Sequence, residues 1–82
     1  MKFQNDSDLY THIGQRIKFY RLSANMTQSQ LADSAKISLS YLSKIEASGC
    51  DKSLSLSTLN QIANSLTIDI TKFFMEDTAW EK

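Results

Sequence analysis

The stretch that decides the fold is TQSQLADSAKISLSYLSKIE, residues 27–46. Its first half begins at Thr27, whose hydroxyl can accept hydrogen bonds from the backbone N–H groups of a first helical turn. Gln30, three residues later, can reach back to the Thr27 backbone and complete a capping box. These features predict a short helix from Thr27 to Ala35.

The second half of this stretch predicts another short helix after a tight turn. Ser38 can cap its start, and Leu42 and Ile45 then lie three residues apart on one face. The polar side chains around them fall elsewhere on the helix: Ser40, Tyr41, Ser43 and Lys44. The pattern therefore predicts a helix with a buried apolar side and a polar outer face suited to contacting a partner.

One helix is predicted before this pair. Asp8 is a suitable N-cap, and apolar residues at helical spacing mark a helix from about Leu9 to Leu22: Ile13, Ile17 and Tyr20. Asn25 follows and can adopt the left-handed conformation that ends a helix.

Two further helices are predicted after the central pair, which ends at residue 46. A loop spans residues 47–55, and Gly49 can supply a positive φ there. The next helix begins at Ser57 or Thr58 and ends at Leu66, with an inward stripe formed by Leu59, Ile62, Ala63 and Leu66. Asp69 caps a fifth helix from Ile70 to about Asp77, in which Ile70, Phe73 and Phe74 follow helical spacing.

The whole chain of 82 residues, with no proline and two glycines, is the size of one helical domain. We expect a flexible arm over residues 1–8, the folded domain over 9–77 and a short tail over 78–82. The lone Cys50 cannot form an internal disulfide, and the sequence shows neither a signal peptide nor a membrane-spanning run. These features favour a cytoplasmic protein without membrane association.

The formal net charge is zero, although DNA-binding domains are often basic. The charge is unevenly distributed, because residues 14–52 hold six basic and three acidic side chains while both flanks are slightly acidic. A neutral chain of this kind would hold DNA weakly without specific contacts, so binding would depend on base contacts and dimerisation.

Four segments in this order resemble the Cro/C1-type (XRE) helix-turn-helix family, and in particular its small single-domain repressors and controller proteins: IGQRIKFYR (13–21), TQSQLA (27–32), SLSYLSKIE (38–46) and LNQIANSL (59–66). The resemblance implies an all-α, compact five-helix bundle of the lambda repressor-like type. In such a bundle helix 3 enters the DNA major groove and helix 2 braces it across the backbone.

The resemblance also implies roles for individual residues. Gln28 matches a glutamine that contacts phosphate and steadies the base-reading side chains. The matched base-reading positions are Ser38, Leu39, Ser40 and Lys44, with Tyr41 and Ser43 as nearby phosphate or base contacts. Lys44 can donate to guanine, serine can donate or accept, and Leu39 can meet a thymine methyl group.

Other matched positions are structural. The resemblance implies an internal ion pair between Arg21 and Glu46, with direct phosphate contact by Arg21 as the alternative. Lys36 and Thr67 stand where the family commonly has glycine, as does Asn25. A left-handed lysine costs roughly 1 kcal/mol, so the turn geometry is the part of the fold that these departures put in question.

Several residues permit two interpretations. Arg16, Lys18 and Lys52 are either phosphate contacts or ordinary surface charges, and Cys50 is either inert or a redox sensor. The single histidine, His12, favours a surface position over a metal ligand. Because no catalytic constellation is visible, we expect no enzyme activity, no cofactor, no metal and no small-molecule ligand.

Apolar and aromatic side chains are concentrated near the C-terminus: Phe73, Phe74, Met75 and Trp80. A domain this small buries only part of such a surface, which favours a homodimer interface over a purely internal role. The sequence thus predicts a homodimeric regulator, most simply a repressor, that binds double-stranded DNA at a palindromic operator. The alternative is a protein-interaction module of the same fold, such as an antitoxin.

Overall fold

A computed structural model describes residues 3–48 and 54–75. The described part contains four α-helices followed by one short 3₁₀ helix, and it contains no strand. The α-helices are α1 (Asp6–Ser23), α2 (Gln28–Ala35), α3 (Leu39–Ser48) and α4 (Leu56–Leu66), and the 3₁₀ helix is Ile70–Phe74. The all-α fold class is confirmed. The expected count of five α-helices is wrong, because the last element is a 3₁₀ helix.

The C-terminal 3₁₀ helix replaces the α-helix expected from Ile70 to Asp77. Asp69 does cap it, because its carboxylate accepts from the Thr71 backbone N–H at 3.0 Å and also from the Thr71 hydroxyl. These two hydrogen bonds hold the pKa of Asp69 below its ordinary value. The helix ends because Met75 takes an extended conformation, with φ −74° and ψ 153°. Residues 76–82, including Trp80, lie outside the described part of the chain.

Helix α1 begins earlier than the sequence predicted. Its N-cap is Asn5 rather than Asp8, since the Asn5 side chain accepts from the Asp8 backbone N–H at 2.8 Å. Asp6 and Asp8 then lie in the first turn, where a carboxylate interacts favourably with the helix dipole. The acidic residue that resembled a cap is therefore part of the helix it was expected to precede.

Helix α4 also begins slightly earlier than predicted, at Leu56. Ser55 is its N-cap and accepts from the Thr58 backbone N–H at 3.1 Å. No helix in the described residues combines the length and the apolar character needed to cross a membrane.

The core confirms the apolar stripes predicted for the helices. Side chains from all four α-helices and the 3₁₀ helix meet in one buried cluster, whose largest members are Ile13, Ile17, Leu31, Leu42, Ile45, Ile62 and Phe73. At about 25 cal/mol per Å² of buried apolar surface, this cluster is the main stabilising contribution to the fold. Tyr20, Ile70 and Phe74 pack against its edge and stay half-buried.

Three of the α-helices end in the same way, although none of them has glycine at the critical position. Asn25, Lys36 and Thr67 follow α1, α2 and α4 with φ values of 59°, 61° and 60°. The residue after each one donates its backbone N–H to a carbonyl five residues earlier, in the pairs Met26–Arg21, Ile37–Ala32 and Ile68–Ala63 at 3.0 to 3.1 Å. This is the Schellman arrangement.

The apolar residue that follows each left-handed position explains why the ends form without glycine. Met26, Ile37 and Ile68 are half-buried and pack against the core cluster. An apolar residue at this position frequently accompanies the Schellman motif. Its burial here offsets the cost of a left-handed backbone at a residue with a Cβ atom. The turns therefore keep the expected geometry despite the unusual residues at Lys36 and Thr67.

Candidate nucleic-acid interface

The α2–turn–α3 unit is fixed by local hydrogen bonds at both helix starts. The predicted capping box is present: Gln30 N donates to Thr27 Oγ1 at 3.0 Å, and Thr27 N donates to Gln30 Oε1 at 2.8 Å. Ser38 caps α3, since its hydroxyl accepts from Tyr41 N at 3.0 Å. Residues 36–38 alone connect the two helices, so the start of α3 is held rigidly against the end of α2.

Four side chains of α3 share its outer side: Leu39, Ser40, Ser43 and Lys44. At 100° per residue they span roughly 140° of the helix surface, in the order Leu39, Ser43, Ser40, Lys44. Leu39, Ser40 and Lys44 are exposed and Ser43 is half-buried. Leu42 and Ile45 occupy the opposite side and are fully buried. We call these four residues the reading face.

Two further residues predicted to contact DNA lie beside the reading face. Ser38 is exposed at the N-cap of α3, where its hydroxyl already accepts one backbone hydrogen bond. Tyr41 lies about 60° beyond Lys44 around the helix, and its side chain is half-buried against the core. Tyr41 therefore borders the reading face on the side of Lys44.

A chain of side-chain hydrogen bonds lies under the reading face. Gln28, the first residue of α2, donates through Nε2 to Glu46 Oε1 at 3.0 Å. Its Oε1 accepts from the Ser43 hydroxyl at 3.0 Å. Gln28 is thus bonded on both sides to α3. The family resemblance implied a steadying role for Gln28 but not the bond to Ser43, because only the folded structure brings residues fifteen apart into contact.

The ion pair between Arg21 and Glu46 is confirmed. Arg21 donates through Nε to Glu46 Oε2 at 2.8 Å and through Nη2 to Oε1 at 2.9 Å. Its Nη1 also donates to the Met26 carbonyl oxygen at 2.8 Å, which sequence reasoning did not identify. Both side chains are nearly excluded from solvent, so Arg21 joins α1 to α3 and does not lie on the surface as a phosphate contact.

Arg16 belongs to neither of the two classes considered for it, because it is completely buried. Its guanidinium donates to the Met75 carbonyl oxygen, and its Nε lies 3.3 Å from His12 Nε2. His12 is half-buried rather than on the surface, and its Nε2 lies 2.7 Å from the same carbonyl oxygen. These two side chains attach the end of the described chain to α1.

The residues predicted for the dimer interface and the remaining predicted phosphate contacts differ in their exposure to solvent. Phe73 is fully buried within one chain, so its assignment to a dimer interface is wrong: no part of its ring is left for a partner to contact. Phe74 and Met75 are half-buried. Lys18 is exposed on α1, whereas Cys50, Lys52 and Trp80 lie outside the described residues.

The fold and the reading face define a class of domain. Two short helices joined by a three-residue turn, with the second helix exposing a polar face and the first bracing it, constitute a helix-turn-helix. The family model described as Helix-turn-helix matches residues 17–73. The chain belongs to this family, which confirms the family resemblance found in the sequence.

A similar protein is the immunity repressor protein of Bacillus phage phi105. It is 42% identical over 66 residues, which cover 80% of this chain and 44% of that repressor. The chain therefore spans less than half the length of this relative.

Solved structures of restriction-modification controller proteins are also similar. C.AhdI from Aeromonas hydrophila superposes with a TM-score of 0.73 at 25% identity, over 79% of this chain and 96% of that one. Wild-type C.Esp1396I gives a TM-score of 0.71 at 30% identity, over 80% and 83% of the two chains. The clp gene regulator ClgR from C. glutamicum shares the fold, with a TM-score of 0.75 at 22% identity over 90% of this chain and 94% of that one.

Proposed function

We propose that this chain is a sequence-specific DNA-binding transcriptional regulator that places α3 in the major groove. The observation that carries the proposal is the reading face on a helix whose other side is wholly buried. A side chain that reads a base must be held in a fixed position, and α3 meets this requirement through its buried Leu42 and Ile45 and its bonds to α1 and α2.

The reading face has the chemistry for direct contact with base edges. Lys44 donates to guanine O6 and N7, Leu39 contacts a thymine methyl group, and Ser40 donates or accepts at several bases. Leu39 is 47% exposed, so its apolar side chain is accessible at the start of α3. Contact with a methyl group in the groove gives this exposure a function.

Phosphate contacts would come mainly from the backbone. The first N–H groups of α2 and α3 point out of the helix starts, where partial positive charge favours phosphate. Lys36, exposed in the turn between these helices, adds a cation on the same unit. Since the chain as a whole has no net charge, base contacts must supply a large share of its affinity.

We further propose a homodimer that binds a palindromic operator, with the two copies of α3 in successive major grooves about 34 Å apart. Phe74 and Met75 are half-buried at the end of the described chain and, with Trp80, are the candidate contacts between subunits. Repression is the simplest mode of action. The resemblance to a phage immunity repressor supports it.

A gel-shift assay with the DNA upstream of the chain's own gene tests the function. We expect a shifted complex for the unaltered chain and a loss of about 1 to 3 kcal/mol of binding free energy for Lys44→Ala. Lys72→Ala removes the same charge from the exposed side of the 3₁₀ helix and serves as the matched control, with affinity little changed. Absence of any complex at low salt, together with a stable complex with the product of a neighbouring gene, would instead identify a protein-interaction module such as an antitoxin.

A further inference from the structure

The hydrogen bonds beneath the reading face converge on Glu46: Arg21 and Gln28 donate to its carboxylate, and Ser43 donates to Gln28. A guanidinium only donates, and the carboxylate paired with it only accepts. Glu46 receives two bonds from Arg21, at 2.8 and 2.9 Å, and a third from Gln28. The Gln28 group facing Glu46 must therefore be its NH₂, which fixes the orientation of the amide.

The orientation of Gln28 fixes the hydroxyl of Ser43. With its NH₂ turned to Glu46, Gln28 presents its carbonyl oxygen to Ser43 at 3.0 Å. An amide carbonyl oxygen only accepts, so the single hydroxyl proton of Ser43 is donated to Gln28. Towards solvent Ser43 then offers lone pairs and no proton. It is an acceptor held in place by an ion pair that lies two residues away in the hydrogen-bond chain.

Ser43 lies well inside the reading face. It falls between Leu39 and Ser40 around the helix, about 40° from the first and 60° from the second. It is half-buried, so part of its surface remains accessible. We expect a base edge that contacts both Leu39 and Ser40 to lie next to Ser43 as well.

We propose that Ser43 reads a base amino group, the N6 of adenine or the N4 of cytosine, as a hydrogen-bond acceptor whose polarity is set by Arg21, Glu46 and Gln28. In the major groove these amino groups are the donors, whereas guanine O6, thymine O4 and the purine N7 atoms accept. Phosphate oxygens also accept. Ser43 is therefore unsuited to phosphate and to the acceptor edge of guanine. The inference rests on the proposed function and names the chemistry of one contact.

Deletion of single functional groups in DNA tests this polarity. A site is first selected from random duplex DNA with the unaltered chain. In one series, single adenines of the site are replaced by unsubstituted purine and single cytosines by 2-pyrimidinone, which removes the amino group. In a second series, single adenines and guanines are replaced by their 7-deaza forms, which removes the N7 acceptor. Dissociation constants are measured for the unaltered chain, Ser43→Ala and the control Ser65→Ala, another half-buried serine near the end of α4.

We expect one amino group per half-site whose removal weakens the unaltered chain and Ser65→Ala about fivefold, the effect of one hydrogen bond, and leaves Ser43→Ala unaffected. The inference would be overturned if the effect of removing an N7 atom, rather than an amino group, were the one that disappears in Ser43→Ala. It would also be overturned if every amino deletion weakened all three proteins equally. Both outcomes would leave DNA binding intact. Absence of any selected site would overturn the proposed function as well.

A second variant keeps the test decisive if Ser43→Ala does not fold. Gln28→Met removes the acceptor that holds the Ser43 proton, so the freed hydroxyl can also donate. Removal of the amino group from the same base should then weaken binding by about twofold instead of about fivefold. Unchanged discrimination in Gln28→Met would show that Gln28 does not set the polarity of Ser43.

Discussion

Arg21 and Glu46 join the first helix to the third through two parallel hydrogen bonds of 2.8 and 2.9 Å. Their side chains are 9% and 2% exposed. Bidentate geometry and burial make this pair stronger than a surface ion pair, and removal of one partner leaves a buried charge without its counterion.

We therefore expect Glu46→Ala to lower the free energy of unfolding by about 3 to 5 kcal/mol. Urea denaturation followed by circular dichroism measures the change. Asp33→Ala, which removes an exposed carboxylate from α2, is the control and should stay within about 0.5 kcal/mol of the unaltered chain. A loss below about 1 kcal/mol for Glu46→Ala would show that the pair does not anchor α3.

Glycine at the left-handed helix ends should stabilise the domain. Lys36→Gly and Thr67→Gly each remove a Cβ atom from a residue with φ near 60°, so we expect each to raise the free energy of unfolding by about 1 kcal/mol, less the entropy that glycine gains in the unfolded chain. Lys18→Gly, within α1, should lower it by about 1 kcal/mol. Thermal melts of the three variants check these signs, and destabilisation by Lys36→Gly would mean that the lysine side chain stabilises the turn.

Neighbouring phenylalanines should have separate effects on stability and assembly. Phe73→Ala empties a fully buried site in the core and should cost about 3 to 5 kcal/mol of folding free energy. Phe74→Ala removes a half-buried ring and should weaken the proposed dimer with a smaller loss of stability. Sedimentation at several concentrations distinguishes these effects. A purely monomeric unaltered chain at micromolar concentration and above would contradict the dimer.

The stability of the fold should depend on pH through Asp69, which caps the 3₁₀ helix. Hydrogen bonds from Thr71 lower the pKa of this carboxyl below its ordinary value of 3.8. A lowered folded-state pKa stabilises the fold at any pH above that ordinary value, and the stabilisation is lost as the pH falls through the folded-state pKa. Asp69→Asn keeps a capping side chain that does not titrate, so its stability should fall less below pH 4 than that of the unaltered chain. Identical acid titrations of the two proteins would refute this role.

Much of the fold could be predicted from local signals. The capping box at Thr27 and Gln30, the apolar spacing of Leu42 and Ile45, and the left-handed position of Asn25 each depend on neighbours within a few residues. Such features can be identified from the sequence because they do not depend on tertiary contacts. The family resemblance added the Arg21–Glu46 pair, which periodicity alone does not indicate.

The remaining features depend on tertiary contacts. Arg16 lies beside the apolar stripe of α1 and resembles a surface charge, but the chain returns at Met75 and covers it. Phe73 and Phe74 are adjacent and chemically alike, and only the turn of the 3₁₀ helix decides which of them enters the core. The bond between Ser43 and Gln28 likewise requires α2 and α3 to be packed together.

Selection of bound sequences from random duplex DNA, with the full chain at low salt, is the direct test of whether α3 reads DNA bases. We expect enrichment of one sequence with two half-sites related by two-fold symmetry and centred about 10 base pairs apart. We also expect Lys44→Ala to relax the preference at one position of each half-site. No enrichment over the starting pool, or an identical preference in Lys44→Ala, would contradict the claim that α3 reads DNA through this face.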